Sequence, residues 1–169
     1  MAETELNSTA AALLGLLHHG SMTGGDLVAA AEARLGAFWS VTRSQVYREL
    51  PVLAERGYLR LGKAGPRSSQ PYTITAAGKK AFSRWLSTPP GRDHQRNHLL
   101  LRASFGTQHS AAQRRQLFTA ARLAHEQRLT QLREQARQTA GDPYGKATLD
   151  FAVTYERALL KWLEALARP

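Results

Sequence analysis

Hydrogen-bond donors are concentrated at the start of a helix predicted to run from Thr42 to about Gly57. Val46, Leu50 and Leu53 recur at intervals of four and three, which predicts one buried stripe behind a Thr42 N-cap. The other side near the N-terminus carries hydroxyl, amide and guanidinium groups: Thr42, Arg43, Ser44, Gln45 and Arg48. Such donors at the beginning of a helix suit contact with the phosphates and base edges of a nucleic acid.

Two further residues of this helix affect the prediction. Tyr47 is assigned to the same interface, because its ring can pack beside the core while its hydroxyl reaches a phosphate. Pro51 lies in the helix interior, where a proline removes one backbone hydrogen bond and costs about 3 kcal/mol or more. We therefore expect a bend at Pro51 or a local distortion of the first turns.

Two helices are predicted ahead of this one. The first begins with Ser8 as N-cap and runs to Gly20, and the second follows Thr23 and stops at Gly36. Trp39, in the next turn, is expected to seal the junction between the second and third helices. The buried side of the first helix is leucine-rich: Leu13, Leu14, Leu16 and Leu17.

A β-hairpin is predicted between residues 58 and 74, where apolar residues flank a tip rich in Gly, Pro and Ser. The tip carries Lys63, Arg67 and Ser68, which we assign to phosphate contact. From Arg43 to Arg67 six Lys or Arg residues stand against two Glu residues, so the segment has a net charge of +4. Three helices and a basic hairpin are typical of a winged helix-turn-helix, whose third helix enters the major groove of DNA.

The whole chain has the composition of a globular protein with a polyanionic partner. Its 169 residues are 43% hydrophobic, and 23 Lys or Arg residues exceed 13 Asp or Glu residues, giving a net charge of +10. Cysteine is absent, and we find neither an export signal nor an apolar run of about 20 residues, so we expect a cytoplasmic protein without a membrane segment.

Motifs for catalysis or metal binding are not evident in the sequence. The six His residues have no acidic or histidine partner at a convincing ligand spacing, and no nucleophile elbow or phosphate-binding glycine loop is present. We therefore expect no enzyme activity, no metal and no cofactor.

The chain is predicted to be mainly α-helical with a small β wing, in two domains. Thr75 should cap a fourth helix whose buried side consists of Ala77, Ala81, Phe82, Trp85 and Leu86. Residues 87–98 are rich in Pro, Gly and charge, so residues 1–88 are assigned to the winged helix-turn-helix domain and 89–169 to a helical domain.

The helical domain is predicted to join two subunits. A short helix is followed by a long one, for which Ser110 and Gln113 form a capping box, and by a last helix after residue 145. The apolar faces of two such helices are too broad to be buried by each other, which favours a homodimer packed across a two-fold axis. Folding back onto the winged domain of the same chain is the alternative.

Five segments resemble the PadR-like family of transcriptional regulators. They are "ALLGLL" (12–17), "GGDL" (24–27), "LGAFWSVTRSQVYREL" (35–50), "LAERGYL" (53–59) and "PYTITAAGKKAFSRWL" (71–86). Together they span residues 12–86, a little under half of the chain, in the family's order. The resemblance implies a dimeric, usually repressive regulator of a palindromic DNA operator, with a small-molecule effector.

Aromatic and apolar residues near the hinge between the domains are candidates for an effector site. Such a set suits a flat apolar molecule, although helical spacing produces the same stripe in a plain core. The candidates are Phe82, Trp85, Leu101, Phe105, Tyr155, Leu159 and Trp162.

The residues leave other functions open. A winged helix can also serve as a protein-interaction module, and a basic chain can bind RNA or act as a non-specific architectural DNA-binding protein.

Overall fold

The computed structural model describes residues 6–63, 65, 70–91, 97–139 and 141–167. The chain divides into two compact units, Met1–Gly91 and Arg92–Pro169. The first unit contains helices and a small sheet, and the second consists of helices.

Three helices form the core of the first unit: α1 (Ser8–Leu16), α2 (Gly24–Leu35) and α3 (Arg43–Glu55). Each supplies one apolar face, and fully burying a Leu or Val side chain stabilises the fold by about 1.5 to 3 kcal/mol. The largest side chains with less than 2% exposure in this unit are Leu13, Leu14, Leu17, Leu27, Val46, Leu50 and Leu53.

The start and end of α1 differ from the prediction. Asn7, and not Ser8, is the N-cap, because its side-chain oxygen accepts from the backbone N–H of Ala10 at 2.8 Å. The Asn7 side chain also donates to Glu49 of α3 at 3.1 Å, a second contact that the shorter Ser8 hydroxyl does not make here. The α-helix ends at Leu16 and continues to His19 as a 3₁₀ turn, not as α-helix up to Gly20.

The predicted starts of α2 and α3 are confirmed, and each is a capping box. The backbone N–H groups of Asp26 and Gln45 donate to the hydroxyls of Thr23 and Thr42, and the two longer side chains accept in return. The hydroxyl and then the backbone amide of Thr23 hold the pKa of the Asp26 carboxyl below its ordinary value. The first turns of both helices are therefore fixed by their own side chains.

Helix α3 runs through Pro51 from Arg43 to Glu55. Pro51 has no N–H group to donate to the carbonyl of Tyr47, so one backbone bond of the helix is missing. The helix stays assembled because Val46, Leu50 and Leu53 are buried on its inner side. It ends before Gly57, whose φ of 70° is the left-handed conformation that glycine tolerates.

The described residues contain one antiparallel sheet of three strands, β1 (Met22–Thr23), β2 (Leu59–Leu61) and β3 (Pro71–Ile74), in the order β1-β3-β2. The hairpin of β2 and β3 is confirmed, with Leu59 opposite Ile74 and Leu61 opposite Tyr72. Strand β1 was not predicted, because a strand of two residues shows no alternation.

Helix α4 (Ala76–Leu86) follows a Thr75 N-cap, as predicted. Its buried side differs: Ala77 is exposed and Leu86 is 62% exposed, whereas Gly78 and Ala81 are buried. The reason is the close approach of the helix start to the chain at Tyr58, whose carbonyl oxygen would lie 2.3 Å from a Cβ at position 78.

Gly78→Ala is expected to destabilise the first unit by about 2 kcal/mol, because a backbone oxygen cannot move aside as a flexible side chain can. The Tyr58 carbonyl is held by the amide and hydroxyl of Thr75, at 3.0 and 3.2 Å. Urea denaturation followed by circular dichroism measures the change. Gly25→Ala is the control, since a Cβ there finds Thr23 Oγ1 at 3.8 Å; equal stability of both variants would contradict the prediction.

The second unit contains α5 (His98–Ser104), α6 (Ala111–Gln138) and α7 (Pro143–Ala167). The capping box of Ser110 and Gln113 at the start of α6 is confirmed. Helices α6 and α7 pack together along an apolar seam. The buried residues of the seam are Leu129, Leu132, Ala136, Leu149, Ala152, Val153, Leu159 and Leu163.

One polar pair interrupts this seam. Nδ1 of His125 lies 2.6 Å from Oε2 of Glu156, and the Glu156 side chain is 10% exposed. The sequence did not reveal the pair, because its members lie 31 residues apart on different helices.

None of the helices in the described part of the chain combines the length and the apolar character that a membrane-spanning segment requires.

Candidate nucleic-acid interface

The first two turns of α3 present most of the predicted contact residues on one exposed surface, which we call the α3 donor face. Val46, Glu49 and Leu50 point into the protein and are buried. The exposed members of the donor face are Thr42, Arg43, Ser44, Tyr47 and Arg48, and Gln45 is half-buried. The structure therefore brings together the six candidates that the sequence placed on this helix.

The capping box fixes the polar groups at the start of the donor face. The side-chain oxygen Oε1 of Gln45 accepts from the backbone amide of Thr42 at 2.8 Å and from the Thr42 hydroxyl at 3.0 Å. The Ser44 hydroxyl lies 3.1 Å from that of Thr42. These short local bonds hold the side chains in place without any partner molecule.

The two guanidinium groups of the donor face have different surroundings. Arg43 Cζ lies 5.4 Å from the centre of the Tyr47 ring, one turn further along α3. The Arg48 side chain is 68% exposed, and its Nε lies 3.8 Å from Oε1 of Glu49. The pair is long and involves only the Nε atom of an exposed guanidinium, so Arg48 retains donors for an external anion.

The hairpin tip is described only in part. Lys63 is exposed at the end of β2. Arg67 and Ser68 lie outside the described residues, so their assignment to phosphate contact stays a prediction.

Trp39 does not seal the junction of α2 and α3, so that prediction is wrong. Its backbone N–H donates to the Leu35 carbonyl at 2.8 Å, but its side chain is 41% exposed, and that of Phe38 is 52% exposed. The half-buried side chains of Leu35 and Val41 pack against the core instead. Leu35 and Val41 flank the turn on both sides, so the aromatic side chains of the turn are exposed to solvent.

In the first unit, the effector candidates Phe82 and Trp85 are half-buried and pack against the core. Their rings are stacked at 6.1 Å, and the Phe82 ring is 5.0 Å from that of His18. A Cβ at Gly15 would approach Phe82 to 3.1 Å, so the ring lies directly on α1. This aromatic cluster gives both residues a packing role.

The other five effector candidates lie in the second unit. Leu101 and Phe105 are each 58% exposed, whereas Leu159 is buried between α6 and α7. The Tyr155 hydroxyl accepts from the Asn97 side chain at 2.9 Å, and Trp162 meets Phe118 edge-to-face at 6.5 Å. A common effector site for the seven candidates stays a prediction.

Within the described ranges, no three His, Asp or Glu side chains are grouped so that they could hold a metal ion.

Family models match both units of the chain. The transcriptional regulator PadR-like family matches residues 13–84, in the first unit, and the virulence activator alpha C-terminal family matches residues 95–168, in the second.

Known proteins match nearly the whole length of the chain. The negative transcriptional regulator PadR of Bacillus subtilis (strain 168) is 27% identical over an alignment covering 92% of this chain and 93% of the relative. The crystal structure of Bacillus subtilis PadR in complex with operator DNA has a TM-score of 0.82 at 27% identity, covering 95% of this chain and 97% of that one. Its complex with p-coumaric acid has a TM-score of 0.77, at 27% identity over 95% and 96% of the two chains. Residues 13–84 therefore form a PadR-like transcriptional regulator domain, and nearly the whole chain is similar in sequence and fold to Bacillus subtilis PadR.

Proposed function

We propose that this protein is a sequence-specific repressor that binds a palindromic DNA operator as a homodimer in the cytoplasm and is released by a small aromatic or apolar molecule. The observation that carries the proposal is the α3 donor face, with Arg43 and Arg48 exposed on the third helix of a winged helix-turn-helix. Its action is binding, without catalysis. The complex of the Bacillus subtilis relative with operator DNA supports the same use of this fold.

The homodimer is supported by the second unit. After α6 and α7 have packed together, large apolar side chains of the unit stay exposed, which favours burial against another surface. They include Leu123, Tyr144, Phe151 and Leu166, of which Tyr144 is 84% and Phe151 is 70% exposed. A second copy offers the same faces, and a two-fold arrangement lets both be buried.

The test of the proposed function is a selection of duplexes from a random pool, followed by titration of the selected duplex and of unrelated duplexes at several salt concentrations. A sequence-specific regulator should prefer its selected site by a factor on the order of 10³ or more. An architectural binder should bind all duplexes with similar affinity and a steep salt dependence. A protein-interaction module should bind none of them, and preference for RNA would also contradict the proposal.

Lys63→Ala and Arg67→Ala are expected to flatten the salt dependence of DNA binding without relaxing sequence preference. Charges that meet phosphates add affinity for any sequence, and each contact contributes about 0.9 to the slope of log K against log salt concentration. Fluorescence anisotropy titrations measure the slope. Lys161→Ala, an exposed site on α7, is the charge-matched control; an unchanged slope together with lost sequence preference would contradict the assignment.

The effector proposal rests on the aromatic candidates and on the complex of the Bacillus subtilis relative with p-coumaric acid. We expect an aromatic acid or planar drug to quench tryptophan fluorescence and to release DNA. Trp162→Ala should raise the compound concentration needed to release DNA on the order of tenfold, because a large aromatic contact is lost.

The matched control is Trp39→Phe, which removes an exposed tryptophan outside the predicted site. If no compound releases DNA, or if release is indifferent to changes at Trp85, Phe105 and Trp162, the effector site is not where we place it.

A further inference from the structure

The ring of Tyr47 lies on the first residue of α2. A Cβ at Gly24 would be 2.9 Å from Cε1, 3.0 Å from Cζ and 3.1 Å from the hydroxyl oxygen of Tyr47. These separations are shorter than ordinary van der Waals contact, so the ring edge occupies space that any side chain at position 24 would need. Gly24 is itself buried, although it lies at a helix start.

The surface under the ring is held in place independently of Tyr47. The Thr23 hydroxyl donates to the Asp26 carboxylate at 2.7 Å and the Thr23 amide donates to it at 3.0 Å, while the amide of Asp26 donates back to the hydroxyl. Because this capping box fixes the first turn of α2, Gly24 gives the ring a contact surface whose position does not change.

The same ring also meets Arg43. Its guanidinium carbon lies 5.4 Å from the ring centre, inside the range of about 6 Å for a cation–π contact. A free arginine side chain has about 2 kcal/mol of rotamer entropy to lose when it binds. An arginine that is already held against a ring loses less rotamer entropy when it binds DNA.

Tyr47 is not one of the residues that form the core of the first unit. Its side chain is 47% exposed, and the neighbouring inward positions of α3 are filled by Val46 and Leu50. The ring is therefore placed between a fixed glycine on one helix and a cationic side chain on the other.

We propose that Tyr47 is a positioning residue, which rests on Gly24 and holds the Arg43 guanidinium in the direction from which it meets DNA. The inference rests on the proposed function, since it concerns the same interface. It makes Gly24, a position that need not touch DNA, a determinant of sequence preference. A larger residue there displaces the ring and, through the ring, Arg43.

The experiment compares Tyr47→Phe, Tyr47→Leu and Gly24→Ala in the full-length chain, with Gly25→Ala as the matched control. Affinities are measured for the selected duplex and for its single-base variants. Tyr47→Phe loses only the hydroxyl assigned to phosphate contact, so it should affect all duplexes alike and keep the sequence preference. Tyr47→Leu and Gly24→Ala should lower the preference about two- to fivefold, the strength of an exposed cation–π contact. Gly25→Ala should change nothing, because a Cβ there has 3.8 Å to its nearest neighbour.

A double-mutant cycle separates positioning from a purely structural role. In an Arg43→Ala background, Tyr47→Leu should have no further effect on sequence preference, because the group that it positions is gone. In the free protein, the Arg43 side-chain NMR signals should lose their ring-current shift in Tyr47→Leu and keep it in Tyr47→Phe.

Three outcomes would overturn the inference. Equal effects of Tyr47→Leu with and without Arg43 would show that Tyr47 acts independently. An equal loss in Tyr47→Phe and Tyr47→Leu would assign the effect to a direct contact of the hydroxyl. A wild-type chain that prefers no DNA sequence would overturn the proposed function as well, so the two failures are distinguishable.

Discussion

Replacing Arg43 or Arg48 by Ala is expected to weaken binding to the selected duplex by about 1 to 3 kcal/mol each, with the fold intact. Both side chains are exposed on the α3 donor face. Removing Arg48 breaks its 3.8 Å ion pair with the buried Glu49, but Glu49 keeps the hydrogen bond from the Asn7 side chain at 3.1 Å. The loss should be larger for the selected duplex than for unrelated ones, because contacts to base edges are lost together with charge.

Gel-shift or anisotropy titrations of the two single variants and of the double variant test this expectation. Arg115→Ala removes the same charge from an exposed position on α6 and serves as the control. Thermal unfolding shows whether the fold is kept. If neither substitution changes the affinity, the placement of α3 in the major groove is wrong.

Deleting Thr148–Pro169 is expected to abolish both the dimer and tight operator binding. A dimer presents two recognition helices to half-sites about 34 Å apart, one helical turn of DNA. Without it each winged unit binds alone, and the loss of the linked second contact should cost on the order of a hundredfold or more in affinity. The first unit should keep its structure, since its core consists of its own residues.

The deletion also exposes Leu129 and Leu132 of α6, which α7 covers, so a milder variant is needed. Tyr144→Ser with Phe151→Ser changes only exposed side chains and leaves the seam between α6 and α7 in place. Sedimentation should show a weaker dimer for this variant and none for the deletion, while Ala158→Ser, at another exposed site on α7, should match the parent. A stable dimer after the deletion would show that the dimer interface lies outside residues 148–169.

Local signals in the sequence predicted the helix starts well, because a cap depends on residues only three positions apart. Thr42 was identified as an N-cap, and Ser110 with Gln113 as a capping box, from residue type and spacing alone. The assignment of the first N-cap to Ser8 was wrong, because Asn7 is an equally good cap by residue type and its contact with Glu49 lies 42 residues away.

Features that depend on tertiary contacts were less accessible. The exposure of Trp39 depends on which neighbours fill the junction between two helices, and the pairing of His125 with Glu156 depends on the register of α6 against α7. The α3 donor face was predictable from periodicity, but the seat of Tyr47 on Gly24 was not, since the two residues belong to different helices. Hydrophobic spacing shows which side of a helix is buried and not what covers it.

The capping box of α3 restricts what Gln45 can recognise on a base. A free glutamine amide pairs with adenine through both of its ends, since its oxygen accepts from the N6 amino group while its nitrogen donates to N7. Here both lone pairs of the oxygen are engaged by the Thr42 amide and hydroxyl. With the cap intact, Gln45 presents its NH₂ group alone, so it can approach only acceptor atoms: purine N7, guanine O6 or thymine O4.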